Sequence, residues 1–465
     1  MRKTKIICTI GPTTGSYDML LEMYKAGMNV VRLNMSHGTH ESHAKVIKSI
    51  KTINQKVKDA IPIIVDTQGP EIRTGNIQNE LQLDEGQIIT VTVRAADVEK
   101  SSFHINYEDL INTVNEGDEI TVDNGLINLE VLKKNRGTME CKVIYGGLLK
   151  SKRHVNLPGV RINLPAITEK DKKDITFALD QEVDFIALSF VREAEDVIQL
   201  KNLMGNKAEK IKVISKIEDQ QGVNNIDGII DVSDGIMVAR GDLGVELNIE
   251  ELPNVQRTIV RKCNEKGKRV IVATHLLESM IENPIPTRAE VTDVANAIYE
   301  EVDAVMLSGE TTVGRYPLRC IAQLDKIARA SEKIPGLKFS KNLVKTNEKQ
   351  HLAASAVELA ESINSQGIIV ITRRGIMAQY VTNCRPFKTA IYAFTNDSRT
   401  RRQLFLNRGV MAHRIEFSKD PEKTITHALD ILKLREGFKE DDRVVVISDV
   451  IAGSGIDAIQ IRSIK

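Results

Sequence analysis

Five charged side chains in this sequence have the types and spacing that a reaction on a charged substrate requires. Lys216 and Glu218 stand at the end of one short apolar run, and Asp242 stands just beyond the next. With no His or Cys beside them, the two carboxylates suit a hard cation such as Mg²⁺. Arg32 and Arg73 can each fork onto a phosphate or carboxylate, and Lys216 is a mobile point charge. The set predicts phosphoryl transfer, which depends on positioning and on neutralising negatively charged oxygens.

A second group of polar side chains predicts a different cation site. Four residues after two further apolar runs carry one formal charge among amide and hydroxyl oxygens: Asn34, Ser36, Asp66 and Thr67. That donor set favours a monovalent cation over a divalent one. Thr274 ends another apolar run, where its hydroxyl can relay a proton but is not acidic enough to supply one unaided.

Each motif taken alone also has an ordinary structural explanation. Asp66 and Thr67 could cap a helix. The spacing of His37, His40 and His43 is compatible with a metal site, but positions six apart diverge on a helix, so a solvated helix face is favoured. Polar residues end at least six of the apolar runs, and this joint occurrence favours a functional site.

The elements that must position these residues alternate between two kinds of pattern. Short runs that are nearly all apolar are typical of parallel strands buried on both faces. Amphipathic helical patterns lie between them, at residues 16–26, 169–181, 250–266 and 287–300. This alternation predicts a (β/α)₈ barrel, whose strand ends converge on the face where active sites are built. The eight predicted strands are residues 5–9, 29–33, 62–65, 184–189, 212–215, 235–239, 269–273 and 303–307.

The interval after the third barrel strand is too long for one helix and has a period of two. It predicts a small all-β unit inserted over the carboxyl-end mouth of the barrel, like a lid. Its predicted strands are residues 87–94, 119–123 and 139–145, with turns at Asn124-Gly125 and Gly146-Gly147.

The last third of the chain predicts a separate open-sheet α/β domain. Residues 334–350 read as a linker or exposed helix, and strands are predicted at 367–372, 389–394, 410–416 and 443–450. The expected division is residues 1–69 and 166–335 for the barrel, 70–165 for the lid and 336–465 for the C-terminal domain.

Composition excludes several classes of protein. The 465 residues include 64 Lys and Arg against 63 Asp and Glu, a net charge of +1, which argues against a nucleic-acid binder. Apolar stretches are too short to span a bilayer, and the start of the sequence lacks the pattern of a signal peptide. The five cysteines are scattered, which argues against a Cys-based zinc site or a disulfide scaffold. We therefore expect a cytoplasmic protein with no nucleic-acid or membrane partner.

Long motifs in the sequence resemble those of the pyruvate kinase family over essentially the whole chain. The resemblance implies the same plan of barrel, inserted lid and C-terminal α/β domain. The motifs are residues 4–12 (TKIICTIGP), 32–38 (RLNMSHG), 66–75 (DTQGPEIRTG), 155–159 (VNLPG), 214–218 (ISKIE), 237–244 (MVARGDLG), 286–290 (PTRAE) and 306–311 (MLSGET).

The resemblance implies transfer of a phosphoryl group from phosphoenolpyruvate to ADP, giving pyruvate and ATP in glycolysis. It assigns Lys216, Thr274 and Arg32 to catalysis, with Thr274 on the path that protonates the enolpyruvate. The implied sites comprise substrate contacts at Arg32, Lys216, Gly241, Asp242 and Thr274; nucleotide contacts at Asn34, Met35, Ser36, His37, Arg73 and Arg153; Mg²⁺ or Mn²⁺ at Glu218 and Asp242; and K⁺ at Asn34, Ser36, Asp66 and Thr67.

The sequence departs from the family pattern at several positions. Gln68 replaces a usual Lys and removes a positive charge, His275 places an imidazole beside Thr274, and Lys152-Arg153-His154 replaces Lys-Lys-Gly, so that Arg153 aligns with a nucleotide-contacting Lys. The C-terminal segment 372–377 has arginines where sugar-phosphate-activated members have hydroxyls, which favours a different anionic effector. Glu71 suggests the potassium-requiring kind of enzyme, and the family implies a homotetramer.

Two alternatives stay open at this point. A Mg²⁺-dependent aldolase on the same barrel would use Glu218, Asp242 and the arginines, but has no need for Arg73, the monovalent-cation cluster or the lid. A non-catalytic effector-binding or scaffold protein would keep a degenerate site, whereas Lys216 and Thr274 are intact.

Overall fold

The computed structural model describes residues 2–77, 79–94, 98, 102–123, 125–160, 164–448 and 458–465. These residues form a closed barrel, an all-β unit inserted into it and an open-sheet unit at the C-terminal end. No helix in the described part of the chain is long and apolar enough to cross a bilayer.

Eight parallel strands close into a barrel, which confirms the predicted fold class. The strands are β1 (Lys5–Thr9), β2 (Val30–Asn34), β3 (Ile63–Asp66), β12 (Phe185–Leu188), β13 (Lys212–Ile217), β14 (Gly235–Ala239), β15 (Arg269–Ala273) and β16 (Ala304–Leu307). Around the barrel they follow the order β1-β16-β15-β14-β13-β12-β3-β2. Three predicted strands have the observed bounds, and the others differ by one or two residues at an end.

Helices surround the barrel, and the four predicted from sequence are present within two residues of their expected bounds. The differences lie at the helix ends. Ser16 and Thr287 accept backbone N–H bonds as N-cap residues and lie outside their helices, and residues 250 and 251 belong to a 3₁₀ turn before the helix that begins at Leu252. The helices are α1 (Tyr17–Ala26), α2 (His40–Ile53), α4 (Glu169–Asp180), α5 (Ala194–Met204), α6 (Gln220–Asn224), α7 (Ile226–Val232), α8 (Arg240–Glu246), α9 (Leu252–Lys266), α10 (Arg288–Tyr299), α11 (Gly309–Thr312) and α12 (Pro317–Ser331).

The barrel strands are apolar on both faces because they serve two cores. Alternate residues point to opposite sides of a strand, so one set faces the surrounding helices and the other fills the barrel interior. The interior cluster is buried and contains Ile7, Val30, Ile64, Phe185, Ala187, Ile214, Met237, Ile271, Ala273, Ala304, Met306 and, from the C-terminal unit, Leu406.

The all-β unit between β3 and β12, called the lid below, contains more strands than the sequence indicated. A six-stranded sheet has the order β11-β7-β8-β9-β5-β6, and β10 pairs with β4. The elements are β4 (Leu81–Leu83), β5 (Ile88–Thr92), β6 (Ser102–His104), α3 (Leu110–Thr113), β7 (Glu119–Val122), β8 (Ile127–Lys134), β9 (Thr138–Tyr145), β10 (Gly147–Leu149) and β11 (Val155–Asn156).

Three lid strands were predicted and appear as β5, β7 and β9. Four of the five missed strands are only two or three residues long, which is too short for a period-two pattern to stand out. The predicted Gly146-Gly147 turn is wrong at Gly147, which begins β10. Asn124 of the other predicted turn lies outside the described residues.

The C-terminal unit is an open five-stranded sheet with helices. Its order is β19-β18-β17-β20-β21, in which β21 pairs antiparallel with β20 and was not predicted. The predicted linker contains a short 3₁₀ turn before α13, and predicted strand residues 449–450 lie outside the described part. The elements are α13 (Glu348–Ser362), β17 (Gly367–Ile371), α14 (Ile376–Asn383), β18 (Ala390–Thr395), α15 (Ser398–Leu404), β19 (Val410–Arg414), α16 (Pro421–Glu436), β20 (Arg443–Ser448) and β21 (Ile459–Ser463).

A buried ion pair joins the C-terminal unit to the end of the barrel opposite the lid. Arg385 donates from both terminal nitrogens to the two carboxylate oxygens of Asp303, each at 2.7 Å. Arg269 also donates to Asp303, at 3.1 Å, and both partners of the Arg385–Asp303 pair are almost fully buried. Together these arginines outweigh the effect of burial and hold the pKa of Asp303 below its usual value.

Candidate active site

Alternation along the barrel strands brings polar side chains to the lid end of the barrel interior. Ile214 of β13 belongs to the apolar interior cluster, and Lys216 follows it on the same side of the strand. Glu218 continues this alternation one residue past the end of β13. On β3, Ile64 is followed in the same way by Asp66. The inward side of these strands therefore changes from apolar to charged towards the mouth that the lid covers.

The Lys216 ammonium lies at the centre of these polar groups and is almost fully buried. Its Nζ is 2.7 Å from Ser189 Oγ, 3.1 Å from Asp66 Oδ1 and 2.9 Å from Glu218 Oε1. Burial alone would lower the pKa of Lys216, but the Asp66 and Glu218 charges outweigh burial and raise it above its usual value. The ammonium is therefore firmly protonated.

Arg32 lies beside Lys216 and shares Asp66 with it. The Arg32 Nε and a terminal nitrogen are each 2.6 Å from Asp66 Oδ2, and Nη1 donates to Thr9 Oγ1 at 3.0 Å. Burial would raise the pKa of Asp66, but Arg32 and Lys216 reverse that effect and lower it. Asp66 thus stays ionised and fixes two cationic groups at the floor of the site.

Two carboxyls, the buried Glu218 and the partly exposed Asp242, lie beside this pair of cations. Glu218 accepts a hydrogen bond from the Phe190 backbone N–H at 2.7 Å, and Asp242 lies in the first turn of α8. Burial, with the neighbouring Asp242 charge, raises the pKa of Glu218 to about 7. Burial also raises the pKa of Asp242. Ionising both carboxyls side by side is unfavourable, and a bound cation would offset the repulsion between their charges.

Thr274 has an unusual backbone conformation at the end of β15. Its φ is +67° and that of His275 is +53°, a left-handed conformation that is an outlier for a β-branched residue. The Thr274 hydroxyl accepts from the Gly241 backbone N–H at 2.7 Å and donates to the Ala273 carbonyl at 2.6 Å. The Thr274 hydroxyl is therefore fixed at the backbone of Gly241, the residue that precedes Asp242 in the chain.

The lid supplies a second wall of charged groups. Arg73 Nε donates to Glu71 at 2.7 Å, and Gln68 donates to the same carboxylate oxygen at 3.1 Å. Arg153 pairs with Asp123 at 3.4 Å. These groups and the barrel floor enclose a cavity of about 330 Å³, lined by Arg32, Asn34, Ser36, His37, Gln68, Glu71, Arg73, Asp123, Lys152, Arg153, His154, Phe190, Lys216, Glu218 and Asp242.

A close approach of backbone and ring forms one edge of this cavity. Gly69 has φ +76°, and a Cβ there would lie 2.8 Å from the Phe190 ring and 3.0 Å from Ser189 Cβ. Only glycine allows this contact at the point where the chain leaves the barrel for the lid. Helix α4 fixes the same turn, because Asp171 Oδ1 accepts the backbone N–H groups of Gln68 and Gly69 at 3.1 Å.

Most residues predicted for the site come together, and a few lie behind it. Nine of them line the cavity: Arg32, Asn34, Ser36, His37, Arg73, Arg153, Lys216, Glu218 and Asp242. Asp66 is fully buried beneath Arg32 and Lys216, and Thr67 is held by Ser189, whose hydroxyl donates to the Thr67 carbonyl at 2.7 Å. Thr274 and Gly241 stand beside Asp242. The Met35 side chain packs in the core between barrel and helices, and its backbone N–H and carbonyl are bonded to Asp66 and Lys170, so the structure does not bring Met35 to the cavity.

The sequence analysis assigned no role to two residues that the structure places at the site, Ser189 and His154. Ser189 ends β12 and contacts Lys216, and its inward register on an apolar strand was the available signal. His154 enters from the lid, with Nδ1 3.8 Å from Asp242 Oδ1, and burial lowers its pKa. No local pattern identified His154, because its position depends on how the lid folds back.

The predicted solvated histidine face is wrong at one position. His43 is buried and its Nε2 donates to the His37 carbonyl at 2.8 Å, whereas His40 is partly exposed and contacts Asp174.

No cluster of three or more His, Cys, Asp or Glu suited to a metal occurs in the described part of the chain. Glu218 and Asp242 offer carboxylate oxygens, the type of ligand that Mg²⁺ prefers.

A (β/α)₈ barrel with paired carboxyls, a buried Lys and two arginines around one cavity is the arrangement expected of a phosphotransferase. The family model "Pyruvate kinase, barrel domain" matches residues 1–321, and "Pyruvate kinase, alpha/beta domain" matches residues 350–461. The chain belongs to the pyruvate kinase family.

Curated relatives agree with the family models. Plastidial pyruvate kinase 2 of Arabidopsis thaliana is 43% identical over 451 residues, covering 96% of this chain and 78% of that protein. Pyruvate kinase of Staphylococcus epidermidis is 41% identical over 460 residues, and that of Geobacillus stearothermophilus 42% identical over 463 residues. Both alignments cover 97% of this chain and 78% of the relative.

Proposed function

We propose that this protein transfers the phosphoryl group of phosphoenolpyruvate to ADP, giving pyruvate and ATP. The observation that carries the proposal is the Lys216 ammonium, held between Asp66 and Glu218 at the floor of the cavity and next to Arg32. A buried, protonated lysine beside a forked arginine is suited to the charge of a migrating phosphoryl group.

The two walls of the cavity suit the two substrates. On the barrel side, Arg32 and Lys216 bind the phosphoryl group. The enolpyruvate part contacts the backbone of Gly241 and Asp242 and the Thr274 side chain. The nucleotide lies between the end of β2 and the lid, where the candidate contacts are Asn34, Met35, Ser36, His37, Arg73 and Arg153. This division follows from the lid carrying the additional cations Lys152 and Arg153.

The residues present fit the cations that the family implies. Glu218 and Asp242 offer hard oxygen donors for Mg²⁺ or Mn²⁺, and Asn34, Ser36, Asp66 and Thr67 offer one charge and neutral oxygens for K⁺. Cationic and acidic side chains nearly balance in the cavity, so two polyanionic substrates need further positive charge. When bound, the cations supply that charge to the phosphate oxygens.

The reaction can be written as two steps on this chain's own residues. The bond from phosphorus to the enol oxygen breaks with its electrons left on oxygen, while a bond forms from a terminal oxygen of ADP to phosphorus. Lys216 and Arg32 balance the negative charge on the transferring oxygens. A proton then reaches carbon 3 of the enolate by way of the Thr274 hydroxyl, and the oxygen electrons reform the carbonyl of pyruvate.

Other predictions remain part of the proposal. They are a place in glycolysis, a cytoplasmic location, a homotetramer, an anionic effector at the C-terminal unit and the division into residues 1–69 with 166–335, 70–165 and 336–465. The arginines at 373 and 374 support an anionic effector, since both are exposed beside the N-terminal end of α14.

A coupled assay for ATP formation from phosphoenolpyruvate and ADP tests this function. We expect ATP and pyruvate in equal amounts, with Mg²⁺ and K⁺ present. A Mg²⁺-dependent aldolase would instead consume pyruvate with an aldehyde and form no ATP, and a scaffold protein would bind ligands in calorimetry without turnover.

A further inference from the structure

Arg240, the first residue of α8, is a buried charge with no role in the reaction as written above. Only 7% of its surface is exposed, although it immediately precedes Gly241 and Asp242. Burying a guanidinium costs free energy unless its N–H donors have hydrogen-bond partners, so the partners of Arg240 indicate its role.

The partners of Arg240 are the backbone on both sides of the Thr274 hydroxyl. A terminal nitrogen donates to the Thr274 carbonyl at 2.7 Å, and Nε reaches the Ala273 carbonyl at 3.4 Å. The Ala273 carbonyl is also the acceptor of the Thr274 hydroxyl, at 2.6 Å. Arg240 therefore contacts the peptide groups that determine where this hydroxyl points.

The conformation of Thr274 explains why such a contact is needed. A left-handed φ of +67° is unfavourable for threonine and persists only where the surrounding structure imposes it. Thr274 lies just past the last residue of β15, so the barrel ladder ends before it. The charged hydrogen bond from Arg240 is the strongest contact on its carbonyl that the described residues supply.

Asp293 in turn holds Arg240 from outside the barrel. Its Oδ1 lies 2.7 Å from the other terminal nitrogen of Arg240, and Asp293 belongs to α10. Gln256 of α9 is a weaker partner at 3.4 Å. The guanidinium is thus clamped between an outer helix and the end of β15.

We propose that Arg240 is a positioning residue that fixes the Thr274 hydroxyl for protonation of the enolate. The proposal rests on the proposed function. In that step the proton passes to carbon 3, the enol double-bond electrons form the new C–H bond, and the oxygen electrons form the carbonyl. Arg240 acts only through Thr274, so it governs protonation more than transfer of the phosphoryl group.

The test separates the two steps in one protein preparation. Phosphoryl transfer is measured as ATP formed in the first turnover, by rapid quench. Protonation is measured in the reverse sense, as ATP-dependent exchange of pyruvate methyl protons with D₂O followed by NMR. The ratio of exchange to transfer needs no correction for the fraction of folded enzyme.

Four variants carry the test. Arg240→Met removes the charged donors at similar length, and Arg240→Lys keeps a charge that cannot reach Asp293 and Thr274 together. Asp293→Asn loosens the clamp without touching Arg240 itself. Arg257→Met is the matched control, because Arg257 is a more exposed arginine that pairs with Glu300 instead.

We expect the ratio to fall about 100-fold in Arg240→Met, the order of loss that a displaced catalytic group causes. Arg240→Lys and Asp293→Asn should lie between Arg240→Met and the wild type, and Arg257→Met should match the wild type. If Arg240→Met does not fold, as judged by its thermal midpoint, Arg240→Lys and Asp293→Asn decide the question.

Three results would overturn the inference. An unchanged ratio in all variants, with wild-type ATP formation intact, removes the role of Arg240 and leaves the proposed function standing. If the ratio falls only in variants that also need more Mg²⁺ for half of their maximal activity, the substitutions act through Asp242, the proposed Mg²⁺ ligand, and not through Thr274. Absence of ATP formation by the wild type defeats the proposed function itself.

Discussion

Lys216 and Glu218 are two residues apart in the chain and in direct contact, with Nζ 2.9 Å from Oε1. Their side chains share one side of the strand, because side chains alternate along a β-strand with a period of two. A cationic group for the phosphoryl oxygens and an acidic group for a cation are thereby placed at one strand end. Asp66 on β3, separated from β13 only by β12, completes the arrangement.

Replacing this lysine tests its role in phosphoryl transfer. Lys216→Met should lower turnover by about 1000-fold or more, since it removes a buried donor to the transition-state charge. Lys216→Arg is the control that keeps the charge with different geometry. Overall fold and Mg²⁺ binding should be largely retained, checked by circular dichroism and calorimetry. Near-wild-type turnover in Lys216→Met would mean that another group balances the charge.

The monovalent cation can be tested by exchange of salts. Replacing K⁺ with a large organic cation at constant ionic strength should remove most of the activity, because the Asn34, Ser36, Asp66 and Thr67 oxygens fit a small cation. Initial rates at saturating Mg²⁺ measure the effect. Unchanged turnover would contradict the predicted site.

Glu71 offers a second test of the same site from the protein side. It faces Arg73 and Gln68 at the cavity wall. Glu71→Lys should reduce the dependence on K⁺, because the new ammonium supplies a fixed positive charge, while Glu71→Gln serves as the neutral control. Equal K⁺ requirement in both variants would show that charge at this position does not substitute for the ion.

The contact between Glu246 and the lid predicts a pH-dependent stability. Asn156 of the lid donates to Glu246 at 2.8 Å, and burial raises the pKa of Glu246 to about 7. A carboxyl whose folded-state pKa is raised gives stability that is present below its unfolded pKa and lost as pH rises towards 7. Glu246→Gln should therefore gain thermal stability over the wild type as pH rises from 5 to 8.

Differential scanning calorimetry of Glu246→Gln and wild type across that pH range measures the difference. The control is Glu41→Gln, at an exposed i,i+4 pair with Lys45. A constant difference between Glu246→Gln and wild type would show that Glu246 is already ionised in the folded protein at pH 5.

The buried pair Arg385–Asp303, which joins the C-terminal unit to the barrel, predicts a large contribution to the free energy of unfolding. Arg385→Met leaves a fully buried carboxylate without its forked partner and should cost about 3–5 kcal/mol of stability. Lys45→Met, at the exposed pair with Glu41, should cost far less, because solvent screens such a pair. Urea unfolding of both variants measures the contrast. Similar small losses would mean that Arg269 alone satisfies Asp303.

The sequence predicted the barrel because apolar runs and helical patterns are local and strong. It also predicted the main site groups, since Lys216, Glu218, Asp242 and Arg32 all follow such runs. Ser189 could have been found by the same register argument. His154 and the left-handed Thr274 could not, because the first depends on the return path of the lid and the second on the tertiary contact with Arg240.

The most direct test of the proposed reaction follows phosphorus itself. Real-time ³¹P NMR of the protein with phosphoenolpyruvate, ADP, Mg²⁺ and K⁺ should show the enol phosphate signal fall as the γ-phosphate signal of ATP rises in equal amount. Loss of the enol phosphate to inorganic phosphate, or no change in either signal, would contradict the account.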